Sequence, residues 1–139
     1  MANHRRSPKE WRQVRVEVLN SMASRGGKWT LENQTTARRA DGAYLKVLAT
    51  SESRPGRWWH GFRLDEWEQL RPIGMLLINE RAAGGRDVFA LPAAFVAKHA
   101  PRMSEKKGTT ERKFEILRAG LEFELLANSG RVSVTQFRD

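Results

Sequence analysis

The stretch IGMLLIN, residues 73–79, is an unbroken apolar run closed by Asn79. Such a run suits a strand covered on both faces, because a strand with one wet face alternates apolar and polar residues. It therefore predicts a sheet with a layer on each side, and the flanking segments supply candidates for those layers.

Upstream, DEWEQL at 65–70 reads as one or two helical turns opened by an Asp65 cap. RWWHGFRL at 57–64 and YLKVLAT at 44–50 both read as strands, with the turn signal Pro55-Gly56 between them. Two strands flanking a tight turn are expected to pair as a hairpin. WTLENQ at 29–34 is a further strand candidate. The clearest element is an N-terminal helix. Ser7 caps it, Pro8 fits its first position and Glu10 completes a capping box. Trp11, Val14, Val18 and Met22 share one face, Arg12 and Arg15 lie off that stripe, and Gly26-Gly27 ends the helix. Residues 1–6 read as a basic, flexible tail.

Downstream, a glycine-containing loop at 82–85 leads to a strand at 87–91 and a short helix at 92–99. Residues 101–113 are polar and basic and read as a mobile loop. Strands at 113–117, 121–127 and 132–137 follow, divided by turns at Ala119-Gly120 and Asn128-Ser129-Gly130. This order predicts a single α+β domain over 1–139, with the N-terminal helix packed on a mixed, mostly antiparallel sheet and two short helices.

Lys and Arg total 25 against 16 Asp and Glu, a net charge of +9, which draws polyanions before any specific contact forms. Arginine's planar fork grips phosphate and stacks on bases. Nucleic acid, DNA ahead of RNA, is the expected partner. The absence of cysteine excludes disulfides, thiolate zinc sites and a cysteine nucleophile. No apolar run approaches the roughly 20 residues of a membrane helix. The N-terminus lacks the apolar stretch of a secretory signal. The expectation is a cytoplasmic protein with no membrane partner.

The segment RPGRWWHGFR, residues 54–63, interleaves three arginines with two tryptophans and a histidine. On a strand Trp58 and Trp59 point to opposite faces. Trp59 is assigned to the core; Trp58 is either buried too, on a second covered face, or exposed, and as a site candidate it is taken as exposed, stacking on bases beside Arg54, Arg57 and Arg63. Arg38, Arg39 and Lys46 are candidates to extend that surface. His60 reads as structural. Neither paired-histidine spacing nor a phosphate loop occurs, and Ser51 and Ser53 lack a visible base.

The element order resembles the core of the restriction-endonuclease-like superfamily. So do the runs ADGAYLKVLATS at 40–51, RWWHGF at 57–62 and DVFALP at 87–92. The resemblance implies carboxylates holding Mg or Mn, and a lysine beside the attacking water. It would place Asp41 at the family's first aspartate, preceded by Ala40 where the family has proline, and Glu10 or Glu17 at the helix glutamate. Glu52 is a nearby carboxylate. The acidic-x-lysine position falls on Val47 and Ala49, which can neither bind a metal nor polarise water. The resemblance thus implies a non-cleaving relative, without catalytic residues, metal or cofactor, that keeps a nucleic-acid surface. It would act in defence, mobile-element or regulatory biology. A divalent-metal-dependent nuclease and a protein-binding inhibitor or assembly subunit with tryptophan anchors stay open as rivals.

Overall fold

The computed structural model describes residues 6–22, 27–128 and 130–139. Helix α1 (Pro8–Ser21) begins as its sequence dictates: Ser7 accepts from the Glu10 backbone N–H, and the Glu10 side chain accepts from Ser7 N–H. Strands β1 (Trp29–Leu31), β2 (Thr36–Arg39) and β3 (Tyr44–Ser51) form an antiparallel meander. Strand β4 (Arg57–Arg63) and helix α2 (Leu64–Leu70) cross over to β5 (Gly74–Glu80), which pairs with β3 in parallel. Strand β6 (Arg86–Pro92) returns antiparallel on β5, giving a first sheet ordered β1-β2-β3-β5-β6. Helix α3 (Ala93–His99) and a 3₁₀ turn (Ala100–Arg102) lead to β7 (Ser104–Glu105), β8 (Glu111–Ala119), β9 (Glu122–Ala127) and β10 (Gly130–Ser133). The second sheet is ordered β10-β9-β8-β4, with β7 also on β8.

The expected α+β class is therefore found, with the strands divided between two sheets rather than gathered in one. The first sheet is the middle layer. On one face Leu45, Val47, Leu76 and Ile78 pack under Val14, Val18 and Leu19 of α1. On the other, Leu48, Met75, Leu77 and Phe89 meet Trp58, Phe62, Phe114 and Phe123 of the second sheet. Residues 74–79 of β5 are all buried, as their unbroken apolar pattern requires.

The expected β3–β4 hairpin does not form. β3 is buried on both faces through residues 45–48, whereas β4 buries only alternate residues. A two-sided strand belongs in the middle layer, and an alternating one belongs in an outer sheet with a solvated face. The turn supports the change of layer. Glu52 accepts the backbone N–H groups of Gly56 and Ala82, fixing the bend against the β5–β6 loop.

Two strands were not anticipated. β2 was read only as the basic pair Arg38-Arg39, yet Thr36 and Ala37 are buried within it. Residues 101–113 are not simply a loop: Ser104 and Glu105 pair with Lys113 and Arg112, and Met103 is buried. Residues 132–137 are strand only to Ser133, and a 3₁₀ turn (Thr135–Phe137) follows. Residues 1–5 of the expected tail, Gly26 of the helix stop and Ser129 of the last turn lie outside the described residues. Arg6 is tied down, since its guanidinium donates to both oxygens of Glu80 at 2.6 and 2.9 Å. No described helix is long and apolar enough to cross a membrane.

Candidate nucleic-acid interface

The alternation of β4 settles the two tryptophans in the order opposite to that expected. Trp58, His60 and Phe62 point inward, while Trp59, Gly61 and Arg63 point out. Trp58 is 1% exposed and its indole N–H donates to the Glu80 carbonyl at 2.8 Å. It cannot stack on a base. Trp59 is 50% exposed and holds the outward position. The signal was present in the sequence: Arg57, Gly61 and Arg63 share the parity of residue 59, and Phe62 shares that of residue 58.

On the outer face of the second sheet Trp59 stands out beside two buried neighbours of β8, Glu115 at 3% and Leu117 at 6% exposure. Across from Trp59 lies Glu115, and across from Gly61 lies Lys113. Gly61 has no side chain of its own, and the Lys113 and Glu111 side chains lie beside that position. Arg57 pairs with Glu115 at 3.1 Å, Arg63 with Asp65 at 2.9 Å and Arg131 with Glu124 at 3.8 Å. The cations of this face thus carry carboxylate partners that a phosphate would have to displace. Arg54, exposed on the preceding turn, has no side-chain ion pair or hydrogen bond among the described residues.

The remaining cationic candidates lie in the other sheet. Arg38 is exposed, 3.7 Å from Glu32 and over the Tyr44 ring. It borders a shallow concavity with Lys28, Thr30 and Arg39. Arg39 is gripped at both carboxylate oxygens of Asp41, at 2.9 and 2.8 Å, and lies over Trp29. Lys46 is only 4% exposed, with its ammonium on the Thr35 hydroxyl at 2.9 Å, so it is no surface cation. Burial lowers its pKa. The structure therefore brings Arg57, Trp59 and Arg63 together, with Arg54 at the strand's entrance, and leaves Arg38, Arg39 and Lys46 elsewhere.

The candidate carboxylates are not assembled for metal binding. Asp41 and Glu52 sit beyond opposite ends of β3, roughly 25 Å apart at the usual strand rise. The Arg39 guanidinium holds the Asp41 carboxyl down at about 2. Glu10 serves the helix cap, Glu17 pairs with Arg86 at 3.2 Å, and Glu52 holds two backbone N–H groups. Val47, at the degenerate motif position, is buried under α1. Among the described residues no three His, Asp or Glu side chains could share a metal ion. These residues do not fit a divalent cation.

One titratable group sits between the sheets. His60 Nε2 meets Asn79 Oδ1 at 2.6 Å, and the ring stacks on Phe114. Burial pushes its pKa down to about 4; the Asn79 contact opposes this and the Arg15 charge adds to it. In the unfolded chain the imidazole titrates near 6.5. Between these values the unfolded state binds the extra proton, so this stability is present above pH ~6.5 and is lost as pH falls towards ~4. The expected loss is about 3 kcal/mol. Urea unfolding of wild type and His60→Gln across this range measures it. Parallel pH profiles for the two proteins would contradict it.

The chain matches no protein-family model and no curated protein sequence.

Proposed function

We propose that this protein binds nucleic acid non-catalytically through the outer face of its second sheet, with Trp59 as the stacking platform. The observation that carries the reading is a half-exposed indole on the outer side of β4, with Arg57 and Arg63 on the same side of its own strand. In a duplex the base faces are already stacked, so a flat exposed ring favours unpaired bases. Arg54 offers a guanidinium without a side-chain partner among the described residues, and the net charge of +9 supplies long-range attraction.

Titration of a labelled single-stranded DNA oligonucleotide, followed by anisotropy at several salt concentrations, tests this. Trp59→Ala is expected to weaken binding about tenfold or more, since a stacked base contributes about 1–3 kcal/mol. Affinity should fall linearly with salt on logarithmic axes, and Trp59→Phe should retain most of it. Unchanged affinity in Trp59→Ala would reject the face. Specific capture of a protein with the same Trp59 dependence, and no oligonucleotide binding, would favour an inhibitor or assembly role.

A further inference from the structure

Arg15 lies away from the Trp59 face, is 9% exposed, and has no carboxylate partner among the described residues. Its Nε donates to the Val47 carbonyl at 3.1 Å, the one hydrogen bond its side chain makes to the described residues. Val47 lies just past the last β2–β3 pair, Thr36 with Lys46. Its N–H goes to the Thr35 carbonyl at 2.7 Å, so Thr35 and Arg15 are neighbours along the edge of β3 where β2 has ended. Lys46 reaches the same place from the other face of the sheet and donates to the Thr35 hydroxyl. Arg12, one turn before Arg15 on α1, approaches the Leu31 carbonyl at 3.5 Å. The nearest acid is Glu66, 3.8 Å from the Lys46 ammonium and half exposed on α2.

Two cations buried around one threonine, with a single loose carboxylate, are costly to keep. An unpaired interior charge costs several kcal/mol that an apolar side chain of similar size would not. The terminal nitrogens of Arg15 make no hydrogen bond to the described residues, yet they are not among the sealed, unpartnered polar atoms, so solvent reaches them. A planar fork open on one side, beside an ammonium and a hydroxyl, matches a tetrahedral oxyanion.

We propose that Arg15, Lys46 and Thr35 form a seat for a phosphate-type oxyanion at the free edge of β3. Arg15 donates from its terminal nitrogens, Lys46 supplies a point charge, and Glu66 swings out as the anion enters. The oxyanion is either free phosphate or a backbone phosphate of a bound strand. The seat is independent of the Trp59 face and stands or falls without it.

The test is a titration of wild-type protein with inorganic phosphate, read by NMR at the Arg15 Nε–Hε signal and the Thr35 and Val47 amides. A parallel series measures Tm. Saturable shifts at these groups and a rising Tm are expected. Arg15→Met should lose at least about tenfold in phosphate affinity, in line with the strength of charge-assisted hydrogen bonds. Its own Tm without phosphate is the baseline for its series, because the change also removes the donor to the Val47 carbonyl. Lys46→Met provides a second variant with the same expected loss. A single-stranded oligonucleotide that moves the Arg15 signal and competes with phosphate identifies the strand backbone as the source. Shifts with phosphate alone identify the free ion. No saturable shift at Arg15 with either probe, or a full phosphate response in Arg15→Met, would overturn the seat.

Discussion

Trp58→Ala is expected to destabilise the protein by about 3–5 kcal/mol, whereas Trp59→Ala costs less than about 1 kcal/mol. The two residues are adjacent and identical, and strand parity alone separates them. Trp58 sits in the cluster between the sheets with Phe62, Phe89 and Phe123, so truncation opens a cavity bounded by two sheets that cannot close on it. The Glu80 carbonyl also loses its indole donor and keeps the Glu52 N–H at 2.9 Å. Trp58→Phe separates the two effects. It fills most of the space and should cost about 1–2 kcal/mol from the lost hydrogen bond and the smaller ring. Urea unfolding monitored by circular dichroism measures all three. Equal costs for Trp58→Ala and Trp59→Ala would contradict the inward and outward assignment. The pair also controls the binding test, because Trp59→Ala should affect binding with the fold intact.

What the sequence made readable follows the range of the forces involved. The capping box of α1 was visible because Ser7 and Glu10 act on backbone groups within one turn. β5 was visible because burial on both faces leaves a continuous apolar run. The partner of β4 was not visible. Pro55-Gly56 shows that the chain turns but not in which plane, and the choice depends on β8, some fifty residues later. β2 was missed because its four residues, Thr-Ala-Arg-Arg, owe their strand state to neighbours on both sides. Arg15 is the sharpest case. Its helical position placed it beside the apolar stripe, yet it is buried because β2 stops short and leaves the Val47 carbonyl to be satisfied from α1. Of the candidate surface, Arg54 and Arg63 are exposed and Arg57 is half-buried against Glu115, while the outward tryptophan is Trp59 in place of Trp58.

Arg138→Ala is expected to cost about 3–5 kcal/mol and to lower Tm by roughly 10 °C or more. Asp87 on β6 is 3% exposed. Arg138 donates to its Oδ1 at 2.6 Å, while Arg81 Nε stands 3.6 Å from Oδ2, an ion pair without a hydrogen bond. Among the described residues Arg138 is therefore the only side chain hydrogen-bonded to this carboxylate, and its removal leaves a buried charge incompletely compensated. The guanidinium also lies 5.2 Å from the centre of the Phe123 ring. Beside it, Asp139 N–H donates to the Val88 carbonyl at 2.8 Å, and Arg138 bridges Phe89. This short pairing covers part of the free edge of β6, so loosening it exposes strand edge as well as charge. A double-mutant cycle separates the two contributions. If the uncompensated carboxylate dominates, Asp87→Ala with Arg138→Ala should be less destabilising than the sum of the single changes by about 1–3 kcal/mol. If edge cover dominates, the costs should add, and self-association of Arg138→Ala should rise with concentration in sedimentation runs. A loss under about 1 kcal/mol in Arg138→Ala would show that Arg81 and water suffice for Asp87.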